Sequence, residues 1–262
     1  MPTRISASSY LNTAPLVWSF IYGQNHGRVE IILDNAPARS AELLSQARVD
    51  AALVPVIAYQ SIDDVFLVPD VCVGAQSRVR SVCLATKGED LADVKTVTLD
   101  ASSRTSVALT KIIFHEFIGH EPEWRTSEPD ADTMLADADC ALIIGDPALR
   151  LANSNYRVFD LAALWNQFTG LGFVFAMWMS RQERLAIDFA SARDEGLSHV
   201  DEMISNYSSE IGLPRDEMRE YLIQNICYNV DEKMRQGMEL YFGLASKHNL
   251  IGKNKSLRFT NW

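Results

Sequence analysis

Two short stretches concentrate groups that could bind a ligand or act on it: "SYLNTAPL" at residues 9–16 and "ASSRTS" at residues 101–106. The first sets Tyr10 and Asn12 just ahead of Pro15, a residue suited to a helix's opening turn because the N–H it lacks has no partner there. The second surrounds Arg104 with Ser102, Ser103, Thr105 and Ser106 before an apolar helical run. One helix cap needs one hydroxyl. The surplus hydroxyls and the guanidinium suit a carboxylate or phosphate, an over-furnished cap being the alternative. Both turns feed helix N-termini, where free N–H groups and the macrodipole favour anions.

Three further residues stand where chemistry could use them. Arg39 opens a helix in "NAPARSAELL" and reads equally as a surface charge. Ser81 interrupts the apolar strand "RSVCL" and is either bonded to backbone or turned to a cleft. Asp146 follows "LIIG" at a strand's carboxyl end, where Asp-Pro is also a common turn. "HEFIGH" at 115–120 does not repeat the zinc-protease helix, because residues five apart lie about 140° around a helix. With no GxSxG elbow, no glycine-rich phosphate loop and no CxxC pair, the sequence points to no metal and no cofactor.

The elements that must present these turns form two similar units. The first runs strand "RISAS", turn, helix "PLVWSFIYG", strand "VEIIL", helix "ARSAELLSQAR" and strand "DAALVPV". The second runs "TVTLD", turn, helix "SVALTKIIFHEFIG", extended "PEWRTSE", helix "ADTMLADA" and strand "DCALIIGD". "LLSQARVDAALVP" and "MLADADCALIIGD" correspond most closely, each ending its helix in an aspartate, Asp50 or Asp139. Strands alternating with helices at this spacing predict βαβ units and parallel sheets, hence two α/β lobes with a cleft at the carboxyl ends of the strands. "SYLNTA" and "ASSRTS" then face each other across it. "RSVCLATK" and "GFVFAMWMS" read as crossing strands, which assigns residues 1–85 and 175–262 to one lobe and 86–174 to the other. From residue 183 the pattern turns helical, over 183–193, 196–211, 214–228 and 231–247. Met234, Met238, Tyr241 and Ala245 share one helix face, so this tail reads as scaffold on the first lobe.

Composition narrows the partners. A formal charge of −10 over 262 residues argues against nucleic acid, whose backbone needs dense Lys and Arg. It gives an anion no long-range attraction, so local donors must hold one. Cys72, Cys83, Cys140 and Cys227 are scattered, as free thiols in a reducing cytoplasm would be. The start "MPTRISASSYLN" lacks the apolar core of a secretory signal, and runs such as "FVFAMWM" are too short to span a bilayer. A soluble cytoplasmic protein is expected.

Assembled, "YLNTAPL", "PAR", "DAALVPVIAY", "RSVCL", "DASSRTSVALTKI", "IIGDPAL" and "FTGLGFVFAMW" resemble the chorismate dehydratases among the futalosine-pathway enzymes of menaquinone biosynthesis. They spread over residues 10–178, about two thirds of the chain. The resemblance implies a two-lobed fold like the type II periplasmic binding proteins, with a helical C-terminal tail, used as a lyase. It implies loss of water from chorismate, a dicarboxylate, to give 3-(1-carboxyvinyloxy)benzoate. Asn12 would then position the substrate, with a substrate carboxylate or Asp146 as base. Tyr10, Arg39, Ser81, Ser102, Ser103, Arg104, Thr105 and Ser106 would bind. Gly172 stands where the family usually has proline, which should loosen the crossing loop. The competing readings are a solute-binding or sensor protein of the same fold and the sister enzyme that makes dihydroxynaphthoate.

Overall fold

In the computed structural model, residues 2–34, 36–184 and 186–261 are described. Ten strands form two five-stranded sheets. They are β1 (Thr3–Ser8), β2 (Val29–Asp34), β3 (Ala51–Pro55), β4 (Phe66–Ala75), β5 (Val82–Thr86), β6 (Thr96–Asp100), β7 (Glu123–Ser127), β8 (Cys140–Ile144), β9 (Arg157–Asp160) and β10 (Phe173–Ser180). The helices are α1 (Ala14–Ile21), α2 (Pro37–Ser45), α3 (Thr105–Ile112), α4 (Ala131–Ala136), α5 (Asp146–Leu149), α6 (Leu161–Thr169), α7 (Phe189–Ser198), α8 (Val200–Ile211), α9 (Arg215–Glu220) and α10 (Glu232–Lys247). Wider π turns continue α3 through Ile113–Ile118 and α9 through Tyr221–Asn225.

The internal repeat extends to strand order. The first sheet runs β2-β1-β3-β10-β4 and the second β7-β6-β8-β5-β9. In each, three strands are parallel and the last two reverse direction in turn. β3 and β8 are buried along their whole length, as small and aliphatic residues permit where a strand is covered on both faces. The paired aspartates share a role. Asp50 accepts the Arg4 N–H at 2.8 Å, and Asp139 accepts the Lys95 and Thr96 N–H groups at 2.9 and 3.0 Å. Each secures the first strand of its own unit.

Several expectations need correction. The crossing strand β5 belongs to the second sheet, so the change of sheet falls between Ala75 and Val82 rather than at residue 85. The sequence reading passed over β4, β9 and α6. The helix expected from residue 183 starts at Phe189, where Asp188 caps it by accepting the Ser191 N–H at 2.9 Å. The tail also does more than pack on the first lobe: Tyr241 donates to the Thr105 carbonyl (3.0 Å), and Lys247 pairs with Glu116 at 2.7 Å. One continuous apolar cluster joins Leu11, Val54 and Phe173 to Leu99, Leu109 and Ile112 of the second lobe. Nor is the loop at Gly172 loose. A Cβ there would stand 2.7 Å from Met234 Cγ, and the Gly172 carbonyl accepts the Trp165 indole N–H at 3.2 Å.

Candidate active site

Parallel strands of both sheets end around one cavity of about 80 Å³. Ser8 and Pro55 close β1 and β3 on one side; Ile144 and Gly145 follow β8 on the other. Tyr10, Asn12, Ser81, Ser103, Thr105 and Ser106 converge on it from both lobes, while Leu53, Val73, Val82 and Phe175 supply an apolar flank. Polar donors on one side and an apolar flank on the other suit a small ring carrying acidic groups.

The local hydrogen bonds separate turn-making residues from those left for a ligand. In "SYLNTAPL", Thr13 makes the turn: its hydroxyl donates to the Ser8 carbonyl at 2.6 Å and the Tyr10 carbonyl at 2.8 Å. No side chain caps the short turn at Leu11–Thr13 or α1, so Asn12 is not spent on helix ends. In "ASSRTS" the N-cap is Arg104, and again no side chain caps α3. Ser102 turns back to Asp100, its hydroxyl 2.6 Å and its N–H 2.8 Å from one carboxylate oxygen. Thr105 Oγ1 accepts the Ile57 N–H (3.3 Å), a bond between lobes. The helix N-terminus and the Ser103 and Ser106 hydroxyls are left facing the cavity. Those surplus hydroxyls therefore suit an anion rather than a cap.

Two contacts fasten the lobes beside the cavity. The Leu11 N–H points at the Asp146 carboxylate, 3.3 and 3.4 Å from its two oxygens. The Tyr10 ring lies on Gly145, where a Cβ would meet it at 3.1 Å and where φ is +66°. Only glycine fits that backbone without strain. Burial pushes the Asp146 carboxyl up to about 6, the Leu11 N–H offsetting part of the rise. Burial also raises Asp100, whose second oxygen is enclosed without a partner. Tyr10 is raised by its own burial first and by nearby Asp100 next.

The two arginines lie outside the cavity. Arg39 is exposed and its Nη1 is 2.6 Å from Glu42 on its own helix. Arg104 is exposed too and lines a larger, open groove of about 600 Å³ with Lys111 and Lys253. Arg39 and then Arg104 lower the Glu42 pKa, so all three charges lie near one another. Asp146 stands behind the Leu11 amide, not among the residues lining the cavity. Ser8, Thr13 and Phe175 were missed, the first two because a single hydroxyl at a strand end or in a short turn looks like an ordinary turn residue. His115 stacks on His248 while His120 bonds the Val94 carbonyl, two separate surroundings.

The profile of a family described as menaquinone biosynthesis matches residues 3–247. The chain belongs to that family. A relative from Thermus thermophilus, named chorismate dehydratase, is 30% identical over 92% of this chain and 94% of its own length. Among solved structures, an Archaeoglobus fulgidus protein covers 95% of this chain and 98% of its own, with a TM-score of 0.69 at 15% identity. The periplasmic aliphatic sulphonate binding protein SsuA of Escherichia coli covers 100% and 92%, with a TM-score of 0.67 at 17% identity. These likenesses show the periplasmic-binding-protein-like, two-lobed fold.

Proposed function

We infer that this chain removes water from chorismate to form 3-(1-carboxyvinyloxy)benzoate, as a cytoplasmic lyase of menaquinone biosynthesis. The observation that carries the reading is a cavity between the lobes that gathers several hydroxyls and the Asn12 amide and whose lining, among the described residues, holds no cation. One substrate carboxylate sits at the α3 N-terminus with Ser103, Thr105 and Ser106. Neutral donors hold the second carboxylate without a full counter-charge, so it keeps its basicity in a desolvated site. That carboxylate takes the ring proton beside the enol ether. The C–H electron pair becomes a ring π bond, the neighbouring C–O bond breaks, and proton and hydroxyl depart together as water. Aromatisation drives the step, so orientation is most of what the protein must supply.

Asn12 holds the reacting end of the substrate, since its neutral amide can donate and accept at once. Asp146 steadies the turn carrying Asn12 through Leu11 rather than acting as base. Arg39 and Arg104 meet the substrate at the rim. Four cysteines without a disulfide support a reducing compartment, and no described helix is long and apolar enough to cross a membrane.

The test is direct. Purified protein mixed with chorismate should abolish the diene absorbance and yield a product lighter by one water. Binding with no turnover would favour a solute-binding protein. Turnover of the cyclic futalosine-derived substrate alone would favour the sister enzyme.

A further inference from the structure

A dianion approaching this chain meets a formal charge of −10, and among the described residues the cavity lining offers no cation to offset it. The cations stand next door, in the open groove of about 600 Å³. Arg104 and Lys111 reach it from one face of α3, with Val107 and Ala108 between them, since residues three and four apart share a face. Lys253 reaches it from the chain beyond α10. Among the described residues, none of the three stands within ion-pair distance of a carboxylate. Lys111 lies over the Trp124 ring, 5.5 Å from its centre. Asp63 is the one acidic residue among those lining the groove. Three cations to one carboxylate reverse the balance of a chain with 24 Lys and Arg to 34 Asp and Glu. Ile57, Leu250 and Ile251 add an apolar wall, so the groove suits a ring that carries acidic arms.

The groove also adjoins the site. Ser103 lines both spaces, and the Ile57 N–H donates to Thr105 Oγ1 at 3.3 Å, joining a residue of the groove to one of the cavity. Keeping the cations outside has a chemical reason. A cation against the reacting carboxylate would stabilise its charge and weaken it as a base. From the groove the same cations attract the incoming dianion without touching the reaction, and a field focused along a groove raises the encounter rate.

We propose that this groove is a capture site for the dianionic substrate: Lys111 and Lys253 draw a carboxylate in, and Arg104, beside Ser103, passes it to the cavity. The proposal rests on the chorismate reading given above.

Lys111→Gln combined with Lys253→Gln removes two charges from the groove. Lys95→Gln combined with Lys233→Gln, at exposed positions lining neither space, changes the net charge equally. In about 0.02 M salt the groove pair should lower kcat/KM for chorismate about tenfold through KM, with kcat within about twofold of wild type. The control pair should lose less than about twofold, and the difference between the pairs should close in about 0.5 M salt. Lys253→Gln alone should lose about threefold; this position is exposed, so a folding defect at half-buried Lys111 would not explain the loss. An unchanged kcat/KM in the groove pair overturns the proposal, as does an equal loss in the control pair. A loss that persists in high salt, or one carried by kcat, overturns it too. Each of those results leaves wild-type turnover intact and sinks capture alone. A wild-type chain inert toward chorismate overturns the functional reading and capture with it.

Discussion

Asn12 follows Leu11, whose N–H meets Asp146, and the two residues invite opposite experiments. Asn12→Ala should leave thermal stability nearly unchanged, because Thr13 and not Asn12 ties the turn. Turnover should fall far more than chorismate affinity, since positioning contributes mainly in the transition state. Normal turnover per folded molecule removes Asn12 from the mechanism. Asp146 concerns stability. Its carboxyl is raised from 3.8 to about 6, so between those values the folded chain holds a proton the unfolded chain releases. This group's contribution is therefore most favourable at low pH and declines up to about pH 6; above that a penalty of about 2–3 kcal/mol persists. Asp146→Asn, which keeps an acceptor for Leu11, should be more stable than wild type at pH 7.5. The gain should shrink toward pH 4 in urea titrations, and a pH-independent difference would contradict the buried carboxyl. Ser103, Thr105 and Ser106 were readable from sequence because short polar side chains on a strand-to-helix turn have few places to point. The arginines were not, since a long charged side chain chooses its partner from whatever stands near, here Glu42.

At the scale of elements, two helix crossings depend on missing side chains. A Cβ on Gly237 of α10 would stand 2.1 Å from the Gly172 carbonyl oxygen, and one on Gly196 of α7 would stand 1.9 Å from that of Pro15. Both obstacles are backbone, which cannot swing aside. Gly237→Ala should therefore cost about 1–3 kcal/mol in chemical denaturation. Gly243, two turns along the same helix, meets nothing within 4 Å. Gly243→Ala should instead stabilise by about 0.5–1 kcal/mol. Equal effects at the two positions would refute the close crossing. Periodicity located most strands and helices; what it missed has local causes. Pro69 and Asp70, the latter at φ +57°, interrupt the apolar run of β4, and the β10–β4 register shifts twice along its length. Such a strand carries no clean alternation to read.

For the whole molecule, the cavity is the informative quantity. Ligand sites usually span roughly 300–1,000 Å³, and about 80 Å³ is too little for a ring with two carboxylate arms. The lobes are expected to part to admit one. Gly145→Ala should hinder their return, through strain at positive φ and the encroachment on Tyr10. The expected result is at least a tenfold rise in KM with only modest loss of melting temperature. An unchanged KM would mean that the Tyr10–Gly145 contact plays no part in closure. Two lobes and a shared cleft were legible because the half-repeats are similar. Which sheet receives each crossing strand was not, since an apolar strand fits either.

That exchange of strands bears on how the chain is made. All five strands of the second sheet come from one continuous stretch, Val82 to Asp160, whereas the first sheet needs β10, the last strand to be made. During synthesis β1, β2 and β3 leave the ribosome early, and β3 then waits with a bare edge while the second sheet can already close. β4 pairs with nothing until β10 arrives between it and β3. An unpaired apolar edge is an aggregation hazard. Chains truncated before residue 173 and released from the ribosome should thus be protected from protease over the second sheet and cut within the first, the half that is translated first maturing last.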